Sequence, residues 1–198
     1  MVSRYLTIFG CILAMAHGFS PIPRAAFYST TSISMSSTAE QIKVGDTLPD
    51  VSMMEGQADY GNPVEVKLLE LIKGKKVAIF AVPGAFTPGC SKSHLPSFIT
   101  AQDELKAKGV ELTICVATND AYVMQAWGES SGGAAAGIVF LSDSTGALTQ
   151  ALGLVMDKPV MMRSQRYSLI ANDCVVTHFF SAAEESSNTW APSVLASL

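Results

Sequence analysis

The order of apolar segments predicts an α/β domain, a mixed central sheet flanked by helices. Apolar runs of strand length at 77–82, 111–117 and 138–141 alternate with stretches of helical spacing. Two more such runs, 167–171 and 175–180, flank a tight turn at Asn172-Asp173 and read as a hairpin. Strands separated by helices pair in parallel and a hairpin pairs antiparallel, so one sheet holding both is mixed.

Each element has its own signal. The polar lead from Val44 to Pro63, punctuated by Gly and Pro, predicts short strands and turns. Val64 to Ile72 carries a brief helical pattern that stops at Lys73-Gly74-Lys75-Lys76. Val77–Val82 is uniformly apolar, as a strand buried on both faces must be. From Pro88 to Lys108 the spacing predicts a helix with Leu95, Phe98, Ile99 and Leu105 on one face and Gly109 as its stop. Glu111–Ala117 is the second core strand. Asn119 or Asp120 then caps a helix that turns Tyr122, Val123, Ala126 and Trp127 inward. Gly132-Gly133-Ala134-Ala135-Ala136-Gly137 forms a small-residue loop before the third core strand, Ile138–Leu141. Asp143 or Ser144 opens a short helix running through Leu152, and Thr189–Leu198 closes the chain as a helix. There is no internal repeat. This order matches a thioredoxin-like fold.

The chain has 198 residues, of which 15% are charged, with a net charge of −4. That charge content is below the roughly 25% usual for soluble domains, and it predicts a surface partly covered by a second subunit. No cluster of Lys and Arg interleaved with aromatics appears, which speaks against nucleic acid as a partner. The N-terminus reads as an address. No acidic residue precedes Glu40, an apolar run spans 5–16, and residues 19–39 are rich in Ser and Thr around Arg24. The apolar run is too short to span a bilayer. A signal core, then Phe19, then a transit-like stretch resembles the bipartite presequence of complex plastids; the alternative is a mitochondrial presequence. The expected division is 1–39 for targeting and 40–198 for the domain, with no membrane segment in the mature form. The tail Ala196-Ser197-Leu198 lacks the basic residue of a peroxisomal signal.

Four cysteines stand at 11, 90, 115 and 174. Without Cys11 three remain, at long spacings, a pattern that predicts neither a disulfide framework nor a zinc site. Cys90 stands out because it lies where the strand Val77–Val82 hands over to a helix, within Pro83-Gly84-Ala85-Phe86-Thr87-Pro88-Gly89-Cys90. The free N–H groups and positive dipole of a helix start favour a thiolate. No second cysteine follows at the C-x-x-C interval. His94, one turn on, is poorly aligned as a general base for a hydrolase and reads as a packing or pocket-shaping residue.

The pattern Pro83-x-x-x-Thr87-x-x-Cys90 resembles the active-site motif of peroxiredoxins. The longer run Gly84-Ala85-Phe86-Thr87-Pro88-Gly89-Cys90-Ser91-Lys92-Ser93-His94-Leu95-Pro96 is similar to the type II (atypical) subfamily. The likeness extends through Ala126-Trp127, Ala151-Leu152-Gly153-Leu154 and Arg166-Tyr167-Ser168, over about 42–198. It implies a thiol-dependent peroxidase that reduces hydrogen peroxide and alkyl hydroperoxides through a cysteine sulfenic acid, without metal or other cofactor, as a homodimer. Cys90 is then the peroxidatic thiol, Thr87 bonds sulfur and peroxide, Pro83 walls the pocket, and Arg166 reaches the sulfur. Arg163 is the less suited occupant. Cys115, 25 residues on, is the implied resolver, with thioredoxin, or glutaredoxin and glutathione, as reductant. A one-cysteine cycle with Cys115 as a core residue remains the alternative. Because a disulfide needs Cα atoms within about 7 Å, the first helical turn must unwind, and Pro96, having no N–H for the Lys92 carbonyl, loosens it. Cys174 and Ala121 depart from the family pattern, the former in a turn that suits Gly. A second function class, a redox sensor or holdase using the same cysteine without rapid turnover, is discriminated by steady-state peroxidase assay.

Overall fold

The computed structural model describes residues 40–156 and 161–198. The expected targeting segment, 1–39, lies outside the described residues. The described strands are β1 (Ser52–Glu55), β2 (Val64–Lys67), β3 (Lys76–Ala81), β4 (Leu112–Ala117), β5 (Ile138–Ser142), β6 (Tyr167–Asn172) and β7 (Val175–Ser181). They form one sheet in the order β2-β1-β5-β4-β3-β6-β7. The central pairs β3–β4 and β4–β5 are parallel, and the outer pairs are antiparallel. The mixed sheet is as expected. The helices are α1 (Leu68–Ile72), α2 (Leu95–Thr100), α3 (Gln102–Ala107), α4 (Ala121–Ser130), α5 (Ala147–Ala151) and α6 (Ala191–Ala196).

The sheet separates two apolar layers, and the side-chain period of two assigns each residue to one of them. Phe80 and Cys115 join Leu95, Phe98, Trp127, Phe140 and Val194 on one face. Val77, Ile79, Ile114 and Val116 join Leu68, Ile72, Leu148 and Tyr167 on the other. Burial on both faces is why these strands read as continuous apolar runs.

Several elements differ from expectation. Val64–Lys67 is a strand, because Val-Glu-Val-Lys pairs antiparallel with β1 and the helix begins only at Leu68. The expected single helix 88–108 is three pieces. A π-helical turn spans Cys90–His94, α2 follows it, and Ala101 (φ −89, ψ 0) breaks the chain before α3. Asp120 caps α4 by accepting from the Val123 N–H at 3.0 Å. Trp127, Met124 and Ala121 face inward, whereas Tyr122 and Ala126 are exposed. Asp143 secures α5 from four residues before its start, its carboxylate accepting from the N–H groups of Leu148 and Thr149. The hairpin turn sits one residue later than expected. Asp173 (φ 45) and Cys174 (φ 70) are its central pair, both left-handed as a two-residue hairpin requires. The closing helix is shorter than expected, a 3-10 turn at Ser186–Thr189 leading into α6.

Candidate active site

The loop after β3 carries Pro83, Thr87 and Cys90 into the start of a helix. Thr87 delivers the first helical carbonyl, accepting from the Ser91 N–H at 2.9 Å. Its hydroxyl does not cap the helix; it donates to the Gly84 carbonyl at 2.8 Å. Its proton is thereby committed, and the oxygen keeps its lone pairs for an incoming O–H. Phe86 holds a left-handed φ of 60 and is 58% exposed, a strained conformation for a bulky residue. Asn119 Oδ1 accepts from the Ala85 N–H at 2.9 Å and secures the loop from the end of β4.

Cys90 is buried, at 1% exposure, and Arg166 Nη2 donates to its sulfur at 3.1 Å. The β3–β6 register explains how a residue 76 positions away arrives there. Ala81 pairs with Tyr167, so Arg166 lies one step beyond the end of β3, beside the loop. The other arm of the guanidinium, Nη1, donates to His94 Nδ1 at 2.9 Å. His94 Nε2 in turn donates to the Thr189 carbonyl at 2.9 Å, which sets the tautomer and leaves Nδ1 as the acceptor. Burial, reinforced by the charge of Arg166, lowers His94 to about 3. The ring is therefore neutral at physiological pH. It is a fixed acceptor for Arg166, which gives the sequence's packing or pocket-shaping residue a specific hydrogen-bond partner. The signal was present in the four-residue step from Cys90, which puts the ring on the same face of the helix.

Arg163 is not a free surface cation. Its Nη1 donates to the Pro83 carbonyl at 2.9 Å. A recess of about 360 Å³, lined by Pro83, Met156, Gln165, Arg166, Ala182, Ala183 and Ser186, opens beside the Arg166 side chain. Trp127 Nε1 donates to Ser91 Oγ at 3.1 Å and ties α4 to the turn that carries Cys90.

Cys115 lies in β4 between Phe80 and Phe140, fully buried, in the same apolar layer as Cys90. Both thiols are free. Burial, and secondarily Cys90, pushes the Cys115 thiol well above its ordinary range. Cys174, at the hairpin tip, is also free, its thiol raised by burial and then by Asp173.

A mixed sheet flanked by helices, with a cysteine at a helix start and a guanidinium on its sulfur, defines a thioredoxin-like protein. The Redoxin family pattern matches residues 43–195. Chloroplastic Peroxiredoxin-2E-2 of Oryza sativa subsp. japonica is 48% identical over 146 residues, 71% of this chain and 65% of that protein's length. Chloroplastic Peroxiredoxin-2E of Arabidopsis thaliana is 40% identical, the match covering 77% of this chain and 67% of that one. Reduced Prx3 of Vibrio vulnificus in complex with H2O2 is a structural neighbour with a TM-score of 0.73 and 43% identity, covering 80% of this chain and 100% of that one. The chain belongs to the peroxiredoxins, a family of thiol peroxidases, and within them to type II.

Proposed function

We propose that this chain reduces hydrogen peroxide and alkyl hydroperoxides with Cys90 as the attacking thiolate. The observation that carries the reading is the guanidinium of Arg166 on the Cys90 sulfur at 3.1 Å, its second arm locked on a neutral histidine. A thiol attacks as its anion, and the Arg166 guanidinium is the cation that lies beside this sulfur. The sulfur displaces the terminal peroxide oxygen, so an S–O bond forms as the O–O bond breaks. Cys90 becomes a sulfenic acid, and the departing alkoxide or hydroxide takes a proton from solvent. Charge moves from sulfur to the leaving oxygen during this step, and the same guanidinium stabilises it at both ends. Thr87, its proton given to Gly84, accepts from the peroxide O–H and orients it. Pro83, half-buried on the recess beside Arg166, limits water there. Reduced protein should consume one equivalent of peroxide at Cys90, and Cys90→Ser should abolish the reaction. Peroxide consumption that persists in that variant would refute the assignment.

Cys115 is the proposed resolver. Its thiol attacks the Cys90 sulfenic acid, giving a disulfide and water, and an external thiol then reduces the disulfide. The shared apolar layer supports the pairing, and so does the π-turn ahead of Pro96, a form common where helices open for function. Intact mass after one equivalent of peroxide should show a loss of two hydrogens, replaced in Cys115→Ser by a gain of one oxygen. A gain of oxygen in the wild type would instead indicate a one-cysteine cycle. Thioredoxin, or glutaredoxin with glutathione, supplies the electrons, and steady-state turnover with each distinguishes them. Exposed Tyr60, Phe86 and Tyr122 offer apolar surface to a second copy in a homodimer. Plastid residence is proposed from the acid-free N-terminus and the chloroplastic relatives. Import of a fluorescent fusion to residues 1–39 tests it.

A further inference from the structure

We infer that Arg163 is a positioning residue for peroxide reduction: by holding the Pro83 carbonyl it orients the loop through which Thr87 meets the peroxide. The inference rests on the proposed roles of Cys90 and Thr87.

The loop has a weak point at Gly84. This residue is buried, and a Cβ added to it would overlap Arg163 Nη1 and lie 3.3 Å from Thr87 Cγ2. Glycine is thus what lets the guanidinium approach the backbone so closely, but glycine also frees that backbone to rotate. The Gly84 carbonyl is the acceptor that fixes the Thr87 hydroxyl at 2.8 Å. That acceptor belongs to the Gly84–Ala85 peptide, and it would move and take the hydroxyl with it if that peptide turned, or if the Pro83–Gly84 peptide turned and swung it about the glycine. Two contacts prevent this. Arg163 Nη1 donates to the Pro83 carbonyl on one side of Gly84 at 2.9 Å, and Asn119 Oδ1 accepts from the Ala85 N–H on the other at 2.9 Å.

Arg163 is itself firmly placed. Its carbonyl accepts from the Met156 N–H at 2.8 Å. The next residue, Ser164, bridges antiparallel to Val155, and Thr118 Oγ1 donates to the Met162 carbonyl at 2.8 Å. The run Arg163-Ser164-Gln165-Arg166 therefore presents two guanidiniums to one site with separate tasks. Arg166 acts on the sulfur, and Arg163 acts on the loop that places the oxygen acceptor. Charge at the sulfur and geometry at the peroxide are then separable by experiment.

The test compares two reactions of Cys90 in the reduced full chain. Peroxide needs both the anionic sulfur and an oriented Thr87, whereas iodoacetamide needs only the anionic sulfur. Arg163→Gln should lower the second-order rate with hydrogen peroxide at least about tenfold, while alkylation stays within about threefold of wild type. Arg163→Lys, which can still donate to the Pro83 carbonyl, should react faster with peroxide than Arg163→Gln. Gly84→Ala, whose methyl evicts the guanidinium, should match Arg163→Gln, and the double variant should be no slower than either. An unchanged peroxide rate in Arg163→Gln or in Gly84→Ala would overturn the inference. So would an equal fall in both reactions, which locates the effect at the sulfur or in the fold, or a lysine variant no faster than glutamine. Failure of the parent reading looks different, since wild-type Cys90 would then not consume peroxide at all.

Discussion

Replacing His94 with Phe tests whether the neutral imidazole holds Arg166 in place. The ring packs against Phe80 and Phe98, at centroid distances of 5.1 and 5.6 Å, so an aromatic hydrocarbon suits its surroundings. The Thr189 carbonyl keeps its bond from Ser168 Oγ at 2.6 Å, so that acceptor is not orphaned. What is lost is the acceptor for Arg166 Nη1, a hydrogen bond from a charged donor in a part-buried setting. Such bonds contribute about 1.5–3 kcal/mol. If that stabilisation is felt in the transition state, the rate with hydrogen peroxide falls roughly 10- to 150-fold. Rapid mixing of reduced protein with peroxide, followed by loss of free thiol, measures it. A purely structural role predicts a different pattern, namely a lowered melting temperature with little change in rate per folded molecule. The imidazole signals of His94 in wild-type protein should also show no titration between pH 5 and 8, because the ring is lowered to about 3. A rate loss below about threefold in a well-folded variant, or a ring that titrates near its ordinary value, would refute the reasoning.

Three further outcomes are expected. Pro96→Ala restores the backbone N–H that is missing just after the π-turn and should slow disulfide formation roughly 2- to 10-fold, read from the fluorescence of Trp127, whose indole is tied to Ser91 in the turn that must open; an unchanged rate would remove this role. His94 takes a proton at about pH 6.5 when unfolded but only at about 3 when folded, so its contribution is present above 6.5 and is lost as pH falls toward 3. Urea melts should show a decline of about 1.4 kcal/mol per pH unit from this group across that window, absent in His94→Phe. Cys174→Gly relieves a left-handed residue at φ 70 and should stabilise the protein by about 0.5–1 kcal/mol, seen as a raised thermal midpoint.

The elements that sequence misread are those whose identity depends on a partner. Val64–Lys67 is a strand only because β1 lies beside it; Val66 alone is partly buried, and next to Leu-Leu-Glu-Leu-Ile so short an edge strand does not stand out. The inward face of α4 shifted toward Met124 because α4 packs on β5, and neither Tyr122 nor Ala126 points that way. From its neighbours Asn119 reads as a cap, and instead it holds the loop 34 positions back.

Local chemistry needed no tertiary structure. The strand, turn and helix start around Cys90 are contiguous in the chain, so dihedral preferences, apolar runs and Pro and Gly positions specify them within about twenty residues. The company that sulfur keeps was decided in three dimensions. Pairing of β6 with β3 brings Arg166 to Cys90, and the chain path just before β6 brings Arg163 to Pro83. Folding of the C-terminal segment brings the Thr189 carbonyl to His94 and so fixes which nitrogen receives the guanidinium. These contacts join residues 72 to 95 positions apart. Their geometry follows from strand register and from burial on both faces of the sheet, which no local window of sequence contains.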